Sequence, residues 1–252
     1  MRKLLSRDYD GDLGAIGIGA MIVFIAMILV AGVAASVIIS TSNSIQIQAL
    51  KTGQQTTKEV ASGVSVYGIS GKINGSNDLS NLSIVIKARP GSEGIDINNT
   101  YILVSDGTTK SLLRYDYVNA STSSQEAAEG NPSYGQTYVA KGSASGDLFE
   151  LMNESAWANI DNETFAIAVL QDYDSSVTAY NPVINRGDKC CLFIRCGGVP
   201  AANMSWMTYG LFGREIPERT DVFGRVIPET GAPGVISFTA PMSYVDTIYN
   251  LQ

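Results

Sequence analysis

Three cysteines, Cys190, Cys191 and Cys196, hold all of the chain's thiols, and they fall in one short segment. An odd count leaves at least one of them unpaired. Cys196 can close a small loop with Cys190 or Cys191 in an oxidising compartment. Free thiols packed into a strand through Cys191-Leu192-Phe193-Ile194 fit the same residues equally well. Paired CxxC spacing, the mark of a zinc site, is absent. The chain has no histidine, which removes the commonest general base, the commonest zinc ligand and every Ser-His or Cys-His arrangement. Asp172-Tyr173-Asp174 and Asp96 offer oxygen ligands of the kind Ca²⁺ takes, but the full calcium-loop pattern is missing, and solvated loop carboxylates account for them. Gly17-x-Gly19 lies inside an apolar run with no strand before it, so it is not a dinucleotide fingerprint. No catalytic, cofactor-binding or metal-binding residue is assigned, and no enzyme is expected.

The elements around these residues are of two kinds. The formal charge of -7 argues against nucleic acid as a partner. A mean hydropathy of +0.09 averages two dissimilar parts. No charged residue occurs between Asp12 and Lys51, and residues 15–39 are almost wholly apolar. A helix of roughly 20 such residues already spans the hydrocarbon of a bilayer. The uncharged stretch continues through Asn43, Gln46 and Gln48, so the spacing predicts a helix over 15–60, about 60–70 Å long. Before it, residues 1–14 carry Arg2, Lys3 and Arg7 and stop at a small residue, Gly14. A secretory signal is cut after its apolar region. A cut between Gly14 and Ala15 instead leaves the apolar run on the mature chain.

A helix apolar on every face must be covered on every face. Lipid covers it in a membrane, and copies of itself cover it in a polymer. Ile18, Met21, Ile22, Phe24, Ile25, Ile28 and Leu29 are the candidate polymerisation contacts, with Gly17, Gly19, Ala31, Gly32, Ala34 and Ala35 small enough for close helix approach. At about 25 cal/mol per Å², such burial yields tens of kcal/mol against water. The gain over lipid is much smaller, because lipid is already apolar.

The run Gly14-Ala15-Ile16-Gly17-Ile18-Gly19-Ala20-Met21-Ile22-Val23-Phe24-Ile25-Ala26-Met27-Ile28-Leu29-Val30-Ala31 resembles the N-terminus of archaellins. These are the type IV pilin-like subunits of the archaellum, the archaeal flagellum. The stretch Val226 to Phe238, with Val226-Ile227-Pro228-Glu229-Thr230-Gly231-Ala232-Pro233-Gly234 at its head, resembles archaellin C-termini. The resemblance implies cleavage after Gly14 by an aspartic prepilin-type peptidase and a precursor held in the cytoplasmic membrane. It also implies a homopolymeric helical filament outside the cell, assembled and rotated by a membrane motor, and it permits a structural calcium ion. Two positions bear on the match. Asp12-Leu13 stand where family leaders place a basic residue, and Gly19, fifth in the mature chain, replaces the glutamate of many bacterial pilins. An adhesive pilin and a signal-anchored surface protein are the competing readings; the Gly-Ile-Gly start and the C-terminal run favour the archaellum.

From Val64 onward the pattern changes to short runs of period two separated by turn residues. Strands are expected at 82–89, 101–105, 111–118, 164–170, 189–195 and 235–239, with Pro90-Gly91 and Asp106-Gly107 as turns. A short helix is expected in 147–157 and a polar loop in 120–134. Phe212-Gly213-Arg214-Glu215-Ile216-Pro217-Glu218 returns as Phe223-Gly224-Arg225-Val226-Ile227-Pro228-Glu229, read as two extended arms about a turn at Arg219-Thr220-Asp221. The expected architecture is α+β. The long N-terminal apolar helix precedes an outer all-β domain over 61–252, an immunoglobulin-like sandwich or barrel. Seven Asn-x-Ser/Thr sequons, at Asn74, Asn81, Asn98, Asn119, Asn153, Asn162 and Asn203, fall in that domain and suggest an N-glycosylated surface.

Overall fold

A computed structural model describes residues 7–73, 78–117, 137–140, 148–152, 157, 160, 162–197 and 211–252. A helix, α1, runs through Arg7–Ala61, 55 residues or about 80 Å at the α-helical rise. It begins earlier than residue 15, inside the charged leader. No proline interrupts that leader. The chain divides into two compact units, the first ending at Thr56 and the second Thr57–Gln252.

The second unit is a β-domain. Its longer strands are β1 (Val64–Ile73), β2 (Leu79–Ala88), β4 (Tyr101–Ser105), β5 (Lys110–Tyr115), β7 (Thr164–Gln171), β9 (Lys189–Arg195), β10 (Asp221–Ile227) and β11 (Gly234–Thr239). Shorter ones are β3 (Ile95–Asp96), β6 (Tyr138–Val139), β8 (Val183–Ile184) and β12 (Ile248–Asn250). Ten strands form one sheet in the order β11-β10-β4-β5-β7-β9-β2-β1-β12, with β6 joined to β7, while β3 and β8 form a separate ribbon. The sheet has two halves joined by a short parallel pairing of β5 with β7, Arg114 opposite Thr164 and Tyr115 opposite Phe165. Ile102, Val104, Leu113, Val222, Val226 and Ile236 of one half share a core cluster with Ile84, Ile86, Ile167, Leu192 and Ile194 of the other. The two layers of a sandwich are thus halves of one curled sheet. Period-two alternation is clean in β11, where Val235, Ser237 and Thr239 are exposed and Ile236 and Phe238 are buried. β9 is buried on both faces because a second cluster, including Phe149, Leu151 and Met152 beside the 3-10 helix Leu148–Leu151, covers its outer side at Cys191 and Phe193.

Within 147–157 the described residues hold a 3-10 helix, Leu148–Leu151, which seats Phe149 and Leu151, and Trp157 is helical. One expectation needs correction. The two arms of the repeat are not equivalent. Phe223 to Ile227 is strand, whereas the first copy makes only an isolated bridge between Ile216 and Leu79, while its Arg214 pairs with Asp106 at 2.8 Å. The turn between them is present, with Arg219 at φ 60°. The loop expected at 120–134 lies outside the described residues.

Candidate functional site

The candidate site is the apolar face of α1 and the joint by which that helix enters the β-domain. Ile18, Met21, Ile22, Phe24, Ile25, Ile28 and Leu29 are 53–69% exposed in the single chain. No described residue of the helix from Ile16 onward is buried. The consecutive large side chains Met21, Ile22, Val23, Phe24 and Ile25 are all exposed and point all round the helix, so no single stripe can pack them away. Gly14, Gly17, Gly19 and Gly32 have open space where a Cβ would stand. Where the run turns polar, Thr41 Oγ1 donates to the Ile38 carbonyl at 2.9 Å and Ser44 Oγ to the Ser40 carbonyl at 3.0 Å. Those hydroxyls are satisfied inside the helix and need no outside partner when it is covered.

At its end the helix is fastened to the sheet by backbone. Ser62 N–H donates to the Lys58 carbonyl at 2.8 Å, continuing the helical pattern. Ala232 N–H then donates to the Ser62 carbonyl at 2.8 Å, and Val64 N–H to the Ala232 carbonyl at 3.1 Å. Gly63 N–H donates to Ser92 Oγ at 3.0 Å. Two glycines make this approach achievable. A Cβ on Gly231, at φ 91°, would fall on the Ser62 carbonyl, and one on Gly63 would fall on the Ala232 backbone. The run 230–234 and the exit of the N-terminal helix are therefore spatial neighbours, though some 170 residues of sequence separate them. The sequence alone named both ends but not their contact.

A model of the archaeal-type flagellin family matches residues 14–238 of this chain. The chain belongs to that family. Flagellin B3 of Thermococcus kodakarensis is 37% identical over 95% of this chain and 97% of its own length. Flagellin B2 of Methanocaldococcus jannaschii is 39% identical over 94% of this chain and 93% of its own. Among solved structures, the crystal structure of an archaeal flagellin from Methanocaldococcus jannaschii is similar with a TM-score of 0.56 and 30% identity, covering 76% of this chain and 98% of that one. The subunit of the archaeal flagellum of Methanospirillum hungatei shares the fold, at a TM-score of 0.53 and 15% identity over 93% of this chain and 98% of that one. This flagellin is a structural subunit of an extracellular motility filament and not an enzyme.

The thiols of this flagellin are packing groups. Cys190, Cys191 and Cys196 are free and fully buried, so the small loop that Cys196 could close is not formed. Cys190 points into the main core and Cys191 into the second cluster. Burial, reinforced by Asp188 and Asp172, pushes the Cys190 thiol up to about 12, and burial raises Cys191 and Cys196 further. The thiolate is the nucleophile. Folded protein is therefore expected to consume no Ellman's reagent at pH 8, and to release three equivalents only after denaturation. Prompt reaction of one thiol in the folded state would contradict this placement.

The carboxylates of this flagellin are grouped differently from the sequence expectation. Asp172 and Asp174 meet Asp188, not Asp96, and one oxygen from each lies within 4.8 Å of the others. Asp96 is occupied in its own turn, accepting from Asn98 N–H at 2.8 Å and Asn99 Nδ2 at 3.0 Å. Asp172 accepts from the Ser175, Ser176 and Val177 amides, across a turn that holds Ser175 at φ 59°. Asp188 is 1% exposed; its Oδ2 accepts from Asn185 N–H at 2.9 Å, whereas Oδ1 is buried with no hydrogen-bond partner among the described residues. The Asn185 side-chain amide, followed by Ser176, holds the exposed Asp174 carboxyl below the usual carboxylate range. Of the sequons, Asn98 is exposed, Asn81 and Asn162 are half-buried, and Asn74, Asn119, Asn153 and Asn203 lie outside the described residues.

Proposed function

We propose that this flagellin is made as a membrane-held precursor, cut between Gly14 and Ala15 by a prepilin-type peptidase, and passed by a membrane motor into the base of the growing filament. The observation that carries this reading is the uncovered state of the described helix side chains from Ile16 through the apolar run. Water does not tolerate such a surface, so lipid must hold the subunit before assembly and other helices must hold it afterwards. Cleavage sheds the charged leader that would otherwise have to enter the filament core. Helix continuity from Arg7 to Ala61 puts the Gly14–Ala15 bond within a helix of the uncut chain, so the peptidase must open that turn or bind it frayed. Intact mass and N-terminal peptide analysis of sheared filaments tests the proposal. A chain beginning at Ala15 is expected; filaments built from chains beginning at Met1 would contradict it.

The outer surface is read as glycosylated, with Asn98 the described sequon most open to a transferase. The carboxylates Asp172, Asp174 and Asp188 fit a structural calcium ion. Oxygen donors are what this cation takes, and the orphaned Asp188 Oδ1 is the kind of buried atom that a cation satisfies. The ion would hold the turn after β7 against the turn before β9. A site filled at a hundredfold over its dissociation constant adds about 2.7 kcal/mol. Chelation is therefore expected to lower the Tm of the β-domain by roughly 5–10 °C at pH 7, and added Ca²⁺ to restore it. An unchanged Tm would remove the ion from the account. The sign with pH follows from Asp174. Its folded pKa is depressed, so its stabilisation is present above the unfolded value and is lost as pH falls through the folded one.

A further inference from the structure

The Gly14–Ala15 bond lies inside α1. In an α-helix each carbonyl accepts from the amide four residues on. Through Arg7–Ala61, therefore, the Gly14 carbonyl accepts from Ile18 N–H, and the Ala15 amide donates to the Gly11 carbonyl. Hydrolysis adds water across this bond, leaving a carboxylate on Gly14 and an ammonium on Ala15. A peptidase takes up its substrate extended, with backbone groups paired to the enzyme. A helix pairs those same groups with itself, so it must open before it can be cut.

Four of the six glycines of α1, Gly11, Gly14, Gly17 and Gly19, fall within residues 11–19, whereas the rest of the helix, from Ala20 to Ala61, holds only Gly32 and Gly53. Glycine gains the most freedom when a helix opens, so each one weakens its turn relative to alanine. Packing within the chain does not call for them, since a Cβ on Gly14, Gly17 or Gly19 would meet nothing within 4 Å. The charge pattern sets the depth. Asp12 is the last charge before the apolar run, and Gly14 follows it by about 3 Å at the helical rise. Backbone groups freed there meet headgroup water, whereas the same opening deeper in the hydrocarbon would leave them unpaired. The glycine-weakened stretch and the water-reachable one thus overlap at the scissile bond.

We propose that the glycines around the Gly14–Ala15 bond are a built-in opening point, where α1 unwinds locally and hands the peptidase an extended strand. The inference rests on the cleavage reading above and adds how a helical precursor becomes a substrate. Gly11 and Gly19 act as positioning residues on either side of the cut. Gly11 carries the carbonyl that holds the Ala15 amide, and the Gly19 amide holds the Ala15 carbonyl. A helix with few glycines beyond this point confines the opening and keeps the apolar run helical for lipid and for the filament.

Full-length precursor in detergent, mixed with solubilised membranes of the producing cells and followed by intact mass, tests this. Gly11→Ala and Gly19→Ala are each expected to slow leader removal about fivefold, and together about 25-fold, as the difference in helix propensity between glycine and alanine gives. Gly53→Ala, far along the same helix, should be cut at the rate of the unaltered chain. Gly19→Pro separates helix opening from recognition of glycine's shape. Proline removes the amide that bonds the Ala15 carbonyl, so this precursor should be cut at least as fast as the unaltered one. Amide hydrogen exchange of the uncut precursor should slow at residues 15–19 in the double alanine chain and not in Gly53→Ala. Unchanged cleavage of the alanine chains would overturn the proposal and leave the glycines to helix packing. Failure of the proline chain to be cut would overturn it in favour of a glycine-shaped subsite. Both results leave the cleavage reading standing, whereas an unaltered chain left whole or cut elsewhere would overturn both.

Discussion

An Ile25→Lys chain is expected to give no filaments, while its β-domain unfolds at the temperature of the unaltered protein. Ile25 sits near the middle of the apolar run 15–39 and is open on the single subunit. A lysine at the centre of a membrane helix costs about 3 kcal/mol on insertion scales. In a dry core of packed helices, an unpaired ammonium is worse still. Lost assembly of more than a hundredfold follows from about 3 kcal/mol alone. Ile25 belongs to the first unit and the β-domain to the second, so domain stability is not involved. Ile25→Leu, which keeps volume and polarity, should retain filaments. Yield of sheared filament and thermal melting by circular dichroism read the two effects separately. Normal filaments from Ile25→Lys would mean that the helix face is not a packed contact.

The second large effect is expected at Gly231. In Gly231→Ala, the added methyl meets the Ser62 backbone, and φ 91° strains any residue bearing a side chain. Strain of this kind alone amounts to about 1–3 kcal/mol, and the backbone collision adds to it, because no flexible side-chain end is there to give way. Roughly 5–10 °C of Tm should be lost for a domain of this size. Gly107→Ala provides the comparison. It has φ 82° but open space at the Cβ, so it should lose only the strain. Equal losses at both sites would show that the helix-to-sheet joint is looser than the backbone contacts between Ser62, Gly63, Val64 and Ala232 indicate.

The helix was legible because a charge gap from Asp12 to Lys51 has few other physical explanations. Its early start at Arg7 was not, because leader and helix differ in charge but not in helix compatibility. Strands β4 and β9 were readable to the residue from alternation or a bounded apolar run, and β2, β5, β7 and β11 nearly so. β3, β6, β8 and β12 are too short to show a period. The parallel joins of β5 and β6 to β7 link segments far apart in sequence, and no local pattern announces them. In the carboxylate cluster, Asp172 and Asp174 stood out by adjacency, whereas Asp96, named beside them, has no part in it. Asp188 is drawn in only by the turn before β9, and its buried, unpartnered oxygen is a fact of packing that spacing does not carry. The cysteines show the same limit. Their clustering left a bridge and free packed thiols equally open, and what decides between them is that residues 190 and 191 point to opposite faces of a strand that is covered on both.

The account's central claim is that α1, and no other surface, is what makes this chain polymerise. Sedimentation velocity of a chain beginning at residue 40, measured beside the mature chain, tests it most directly. The account predicts a monomer at micromolar concentration whose β-domain melts as it does in the intact protein. Filaments or large oligomers formed by the shortened chain would contradict it, and would move the polymerising contact from the helix to the β-domain.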